Sequence, residues 1–594
     1  MELRDSDGLD RGKPYKPLDV GNGIVSGSLT PSGRWLSLGI AHPVHGRVEV
    51  TTMAPFTGDP FEQGDVRAYR AALAARDRPS FGFDLLDAEP VAVTLIADSF
   101  PRAVVDRPEA RLESVVVAPA GRSGAVQLVR IHARIELRGP AWSTSLRLTR
   151  AEYTQLTPGG RLPAASAENR LSFAQSTGAD ETTMLIESPL LGACAALVQS
   201  PPYAVIAAGS DAWTALAIAV GPDRTIVEEA LALARAAQRL VGEEVSARRK
   251  LWSGIDLAAA ETPVRRGLAY AIDCAASAIG DVTAILADHQ ILPLVWTRDA
   301  YYVCRMLLAA GIPEPVDRFL RWTFEAAERV DGWWPRASLA SGKVKDRAFQ
   351  LDQQVWPLLL VADHARLTGD AALFGRYERD ARRLLDALLA RRSAAGLIAT
   401  DETPADDPLT HPFHFSSHVL LWRALSVFAH PQAVAFRSEI MRRFKSKGRF
   451  AYAIGGRDDA DVLHYHDAND FPTVFAPGWG FCSPADELWR GTIAFAWTGE
   501  NPAYFKARFG GLGSVHTPHP WPLGDLQEIV LGRVLKEPAR ERHAWERLAR
   551  VETWDGMLPE AYDENTAEVA SRHWFAWPVA LRALLLREPM LTAP

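Results

Sequence analysis

Four segments in the second half of the chain carry residue types that do chemistry. The first is Trp296-Thr-Arg298-Asp299, just ahead of a helical pattern. A guanidinium fork beside a carboxylate offers donors and an acceptor to vicinal hydroxyl groups. The plainer alternative is a surface arginine next to a helix-capping aspartate. The second is Asp401-Glu402-Thr-Pro-Ala-Asp406-Asp407, followed by His411, His414 and His418. Acids beside histidines raise the question of a metal. The acidic run offers no i, i+4 ligand pair, however, and no glutamate lies between His414 and His418 as in zinc-protease helices. We read no metal site and no cofactor here; solvated loop charge is the plain alternative. The third is His464-Tyr465-His466-Asp467-Ala468-Asn469-Asp470-Phe471. A carboxylate set among aromatic and apolar neighbours loses water. That raises its pKa, as a general acid working near neutrality requires. The fourth is Leu558-Pro559-Glu560-Ala561-Tyr562, with Arg572-His573-Trp574 shortly after. A proline-braced loop is suited to hold Glu560 as a base over a water molecule. Paired carboxylates, an arginine and tryptophans in successive loops suit glycosidic cleavage, which needs one acid for the leaving oxygen and one base for water.

The elements that must position these segments follow from periodicity. At 594 residues the chain exceeds what one hydrophobic core organises, so two domains or more are expected. Residues 1–222 read as β: short runs rich in Val, Ile, Leu and Thr, such as Val48–Met53, Val91–Ser99, Leu112–Ala118, Val126–Leu137 and Thr214–Val220, alternate with Gly, Pro, Asp and Ser. They predict ten to twelve antiparallel strands in a β-sandwich, with no amphipathic helix among them. Residues 223–254 turn rich in Ala, Leu, Arg and Glu at helical spacing and predict a linker helix. From 255 to 594 helical patterns dominate. The candidates are 261–279, 299–311, 314–329, 350–368, 371–392, 414–428, 430–443, 484–498, 522–535, 537–548 and 570–586. Eleven helices come close to the twelve of an (α/α)6 barrel. The long loops between them, where the four segments lie, are of the kind that carries function.

Composition excludes several classes. A formal net charge of −7 is no match for a polyphosphate, so a nucleic-acid partner is not expected. Cys194, Cys274, Cys304 and Cys482 lack metal-type spacing and read as reduced, buried thiols. The first ten residues show neither a basic nor an apolar leader region, and no run of about 18 apolar residues is free of charge. No membrane partner is expected, and the cytoplasm is the expected location. Most of the 18 tryptophans lie beyond residue 250, where their faces suit sugar rings.

In order, these motifs resemble those of the (α/α)6-barrel exo-glycosidases, and most closely glycoside hydrolase family 125, the metal-independent α-mannosidases. Trp296-Thr-Arg298-Asp299 is similar to the family's Trp-Leu-Arg-Asp, and Gln350-Leu-Asp352 with Trp356-Pro357 to its Glu-Leu-Asp-Ser-Leu-Cys-Tyr-Pro. Pro404-Ala-Asp406-Asp407 resembles Pro-Ser-Asp-Asp, and Gly513-Ser-Val-His516-Thr resembles Gly-Ser-Pro-His-Thr. Asp467-Ala-Asn-Asp-Phe-Pro resembles the Asp-Asp-Ala-Asn-Val-Pro that carries the family's general acid. Leu558-Pro-Glu560 corresponds to the segment of its base, and Trp574-Phe-Ala-Trp577 to its Trp-Phe-Ala-Trp. Ala468 departs from the family's second aspartate. Leu-Pro-Glu is what the glucoamylase-like enzymes of family 15 carry around their base, and those place their acid in a segment similar to that of Glu402. An N-terminal β-sandwich is also a feature of bacterial glucoamylases and of family 63 glucosidases.

The resemblance implies an exo-acting, inverting hydrolase that removes a terminal α-linked mannose or glucose from an oligosaccharide or glycoside. Asp467 would be the acid, with Asp470 and Glu402 as alternatives, and Glu560 the base. Trp296, Arg298, Asp299, Asp352, Glu402, Asp406, Asp407, His516, Arg572 and Trp574 would line the sugar site. A glycoside phosphorylase on the same scaffold, or a non-catalytic carbohydrate-binding protein, are the alternatives.

Overall fold

The computed structural model describes residues 8–54, 56, 58–59, 62–138, 146–150, 170–203, 205–255, 262–455 and 461–587. Residues 1–7 of the stretch read for a leader lie outside these, as do the ends of the 255–594 reading, residues 256–261 and 588–594. The protein is a mixed β and α chain, with antiparallel sheets in its N-terminal part and helices in its C-terminal part. It divides into two compact units. One holds Met1–Val295, Leu339–Lys343 and Trp554–Gly556; the other holds Trp296–Ser338, Val344–Thr553 and Met557–Pro594.

Two antiparallel sheets dominate the first unit. One has five strands in the spatial order Leu18–Gly21, Val25–Leu29, Trp35–His42, Gly46–Thr51 and Arg147–Arg150. The other has eight: Ser172–Thr177, Thr182–Ser188, Ala193–Ser200, Asp211–Gly221, Gly124–Ala133, Ala110–Val117, Phe100–Asp106 and Pro90–Ile96. Leu38, Val48 and Val50 of the first sheet share one apolar core with Leu112, Val129, Leu197 and Ile218 of the second. The other face of the eight-stranded sheet is also covered. Helices α2 (Ile226–Arg235) and α3 (Ala237–Gly254) set Ala230, Leu233, Val241 and Val245 against Val117, Val126, Ala196 and Val198. Successive strand residues face opposite sides, so a strand covered on both is apolar throughout, as Ala193-Cys-Ala-Ala-Leu-Val198 is.

Two differences from the sequence reading concern elements of this unit. A helix, α1 (Gln63–Ala74), lies among the strands. Its buried apolar residues, Val66 and Leu73, are too few for a visible stripe. The helix expected over 261–279 is α4 (Thr262–Tyr270), followed by one π turn and a hairpin that pairs Ala276–Ile279 with Val282–Ile285. Gly280, at φ 60°, supplies the left-handed residue of its two-residue turn.

The second unit holds eleven helices among the described residues. They are α5 (Thr297–Ala309), α6 (Glu314–Arg321), α7 (Leu351–Thr368), α8 (Ala372–Ala390), α9 (Phe415–Val427), α10 (Ala433–Arg443), α11 (Phe471–Phe475), α12 (Glu487–Ala496), α13 (Pro522–Leu535), α14 (Pro538–Val551) and α15 (Ala576–Arg587). Alternate helices neighbour each other in a closed circuit: α5 touches α7, α7 touches α9, and so on through α11, α13 and α15 back to α5. Composition explains this order. α5 is buried at every residue from Thr297 to Leu308, and α15 from Ala576 to Leu585. By contrast α8 buries one stripe, Tyr377, Ala381, Leu384, Leu385 and Leu388. The circuit helices α5 and α15 are thus buried all round, whereas α8 buries only one stripe. Among the described residues no helix is long and apolar enough to cross a membrane, and the four cysteines are free and buried.

Candidate active site

The candidate residues gather at the N-terminal ends of the circuit helices. Trp296 caps α5 and Arg298 and Asp299 stand in its first turn. Gln350 caps α7, ahead of Asp352. His414 caps α9, Asp470 caps α11, Trp521 caps α13, and Trp574 precedes α15. Helix N-termini present unpaired N–H groups and a partial positive charge. Such ends favour the carboxylates that stand beside them here.

One cluster centres on Arg298. Its Nη1 donates to Asp352 Oδ2 at 2.9 Å, its Nη2 lies 3.5 Å from Asp406 Oδ1, and its Nε lies 3.7 Å from Asp299 Oδ2. The guanidinium lies over the Trp577 ring, 5.5 Å from its centroid. Burial pushes the Asp299 carboxyl up to about 7, against the lowering pull of Arg298 and Arg572. Among the described residues several polar groups here, Asp352 Oδ1, Arg298 Nε and the indole N–H groups of Trp296 and Trp577, have no hydrogen-bond partner. Buried and unpaired, they are costly unless a ligand completes them.

Glu402 belongs to the same wall. Its Oε1 takes Arg336 Nη1 at 3.0 Å, and Arg336 also pairs with Asp346. Gln350 joins the two groups, its Nε2 donating to Asp406 Oδ1 at 2.7 Å and to Glu402 Oε2 at 3.1 Å. Burial raises Glu402 to about 7, with Arg336 opposing.

The loop before α11 carries two carboxylates whose pKa values are shifted in opposite directions. Burial, together with the charges of Asp470 and Asp407, raises Asp467 to about 6. Asp470 is buried too, but His414, His466 and Ser416 outweigh that and hold its pKa below the usual range. Asp470 Oδ1 accepts Ser416 Oγ–H at 2.8 Å and lies 3.3 Å from His414 Nε2, while its Oδ2 accepts the Asp467 N–H at 2.9 Å. Asp470 therefore braces the loop. Gln527, fully buried, fixes the same loop by donating to the carbonyls of Asp467 and Ala468 at 2.9 and 2.8 Å.

Glu560 is held from the facing segment. Its Oε2 accepts Ser571 Oγ–H at 2.6 Å, and its Oε1 lies 3.2 Å from Arg572 Nη1. Arg572 at φ 45° and Asp406 at φ 65° both sit in the left-handed region. Such backbone costs about 1–3 kcal/mol and persists where the surroundings over-determine it, as at binding sites. His516 links the segments. Its Nδ1 lies 3.3 Å from Asp407 Oδ2. Burial lowers its pKa, but Asp407, Glu560 and Asp467 together raise it to about 9.

Of the residues expected to line the sugar site, Trp574 is fully buried, edge-on to His573. Asp401 is tied to the Phe349 N–H, and His411, His414 and His418 bond separately to Asp461, Ser417 and the Ile398 N–H. The grouping with metal-like spacing found among the described residues lies elsewhere, at His519, Asp563 and Glu564. Four further residues complete the site's polar network: Gln350, Arg336, Tyr465 and Gln527. Gln350 and Tyr465 were signalled only by adjacency to Asp352 and Asp467.

The fold is shared with solved structures. A bacterial glucoamylase solved in complex with acarbose superimposes with a TM-score of 0.66 over 99% of this chain and 95% of its own, at 12% identity. A human-microbiome protein assigned as a kojibiose phosphorylase gives 0.53 over 95% and 85%, at 10% identity. At such identities the likeness is one of fold. No curated protein sequence matches the chain. Residues 389–585, which carry Glu402, Asp467, His516, Glu560 and Arg572, match the family model of the metal-independent alpha-mannosidases, glycoside hydrolase family 125, and the resemblance read from the ordered motifs holds over that stretch.

Proposed function

We propose that the protein is an exo-acting, inverting glycoside hydrolase that removes a terminal α-linked mannose or glucose. In this reading residues 1–222 are a β-sandwich, 223–254 a helical connection, and 255–594 an (α/α)6 barrel with the catalytic site at its mouth. The observation that carries it is the position of His516, 3.3 Å from Asp407, where the nearby charges of Asp407, Glu560 and Asp467 together raise its pKa. Acid loop and base loop thus converge on one imidazole.

The roles follow. Arg298, Asp299, Asp352 and Asp406 grip the hydroxyls of the terminal sugar, with Trp296 at their edge. Asp467, raised by burial, carries the proton and gives it to the leaving oxygen as the glycosidic bond breaks. Glu560, oriented by Ser571 and Arg572, takes a proton from the water that attacks the anomeric carbon from the opposite face. One proton leaves the acid and one reaches the base, and the sugar departs as the β anomer.

A panel of α-mannosides and α-glucosides, followed by NMR for the first anomer released, tests sugar, linkage and stereochemistry together. Initial release of the β anomer is expected. Initial release of the α anomer would exclude inversion. Turnover that requires inorganic phosphate would mean a phosphorylase, and binding of sugars with no turnover a lectin-like role.

A further inference from the structure

Asp467 is surrounded by donors. Its Oδ1 accepts the Asn469 backbone N–H at 2.9 Å and the Asn469 Nδ2–H at 2.8 Å. Its Oδ2 lies 2.6 Å from Tyr465 Oη. The direction of that last bond is fixed by what reaches the phenol oxygen. The Val515 N–H donates to it at 3.2 Å. With that amide on the phenol oxygen, the phenol's own proton goes to Asp467 Oδ2, an acceptor with no proton to give once it is charged. Ser514, next to Val515, places its Oγ 3.0 Å from His516 Nδ1. The ring is braced edge-on against Tyr452, 4.8 Å between centroids at 86°.

We propose, on the reading of Asp467 as the acid, that Tyr465 is a positioning residue, held by the 514–515 backbone and aiming its proton at Asp467 Oδ2 so that it sets the pH at which Asp467 gives up its own. A donor to a carboxylate stabilises the charged form. The other groups facing Asp467 are Asp470 and His466 on its own loop, and Asp407, His516 and Tyr452 from elsewhere. Asp470 and Asp407 hold the proton on; Tyr465 and Asn469 help it leave. The tyrosine thus keeps a deeply buried acid from retaining its proton too firmly to transfer it.

The test is to titrate the Asp467 carboxyl in full-length protein carrying ¹³C-labelled aspartate, with the signal assigned by its loss in Asp467→Asn. Tyr465→Phe keeps the ring against Tyr452 and removes one charge-assisted hydrogen bond, so the midpoint is expected to rise by about one pH unit. The alkaline limb of the pH–rate profile should rise with it. Val515→Pro deletes the donor that holds the hydroxyl and leaves ring and acid in place; it should shift the midpoint the same way by less. A lower kcat in Tyr465→Phe with the midpoint and limb unmoved would overturn the proposal and leave Tyr465 a packing residue. If instead the midpoint moves but Asp467→Asn keeps full activity, the pairing stands and the assignment of Asp467 as acid falls.

Discussion

Asp467 and Asp470 stand three residues apart, are both buried, and are driven in opposite directions by their neighbours. A general acid must hold its proton at the working pH, so of this pair it is Asp467 that fits the proposed role. It donates only while protonated, and activity should therefore fall as pH rises through about 6. Asp467→Asn should abolish that limb and cost about 10²- to 10⁴-fold in kcat/KM, less on substrates whose leaving groups depart without a proton. Glu402→Gln should weaken sugar binding and leave the limb in place. Profiles of the two variants side by side decide between the carboxylates; a limb lost in Glu402→Gln and kept in Asp467→Asn would make Glu402 the acid. Glu560→Gln should cost a similar factor on every substrate, activated or not, because water must be deprotonated in each case. At this scale the charged residues were legible, since burial among aromatics is visible in a string of letters. Gln350, Tyr465 and Gln527 were not. An amide or a phenol signals nothing until its partners are known, and theirs lie between 2 and 60 residues away.

The helices of the second unit were legible where periodicity was strong. The 522–535 pattern is α13 to the residue. It failed where the signal is something else: α11 has five residues, too short for a period, and the 276–285 hairpin announces itself through Gly280-Asp281 rather than through its apolar run. What periodicity cannot show is how the outer helices pin the inner ones. Asp525 in the first turn of α13 is buried. It accepts Arg547 Nε of α14 at 2.6 Å and the Tyr562 hydroxyl at 2.8 Å. Burial raises its carboxyl to about 6 even with Arg547 beside it. A carboxyl whose folded pKa lies above its unfolded one favours the fold at low pH and loses that contribution as pH rises through the folded value. Arg547→Met strips the cation and should destabilise the protein by about 3–5 kcal/mol at neutral pH, where a buried carboxylate is left unpaired. The gap in melting temperature between wild type and variant should widen from pH 5 to pH 8. A gap independent of pH would show that Arg547 acts through packing alone.

At the scale of the whole molecule, the chain returns to its first unit long after leaving it, through Leu339–Lys343 and Trp554–Gly556. The reading from sequence set a boundary at residue 255, where helical periodicity takes over. The compact unit closes at Val295, because the π turn after α4 and the hairpin strand Ala276–Ile279 pack against the first strands. No local pattern could reveal the late return, since its anchor spans 539 positions. Lys16, with no exposed surface, bonds Asp19 at 2.5 Å and Asp555 at 2.6 Å, and its backbone carbonyl accepts the Trp554 indole N–H. Burial would strip its proton, but the two carboxylates win and raise its pKa, so the pairing persists through neutral pH and is lost only in strong alkali. Lys16→Met leaves two carboxylates without their cation, which should cost the first unit about 3–5 kcal/mol. Calorimetry should then show the transition of that unit moving down while the other holds its position. Asp555→Leu in the same chain should return part of the loss, because a neutral pair of similar volume removes one of the stranded charges. Strict additivity of the two substitutions would mean that Lys16 and Asp555 stabilise the unit independently, and that the late segment is held by Trp554 rather than by the buried ion pair.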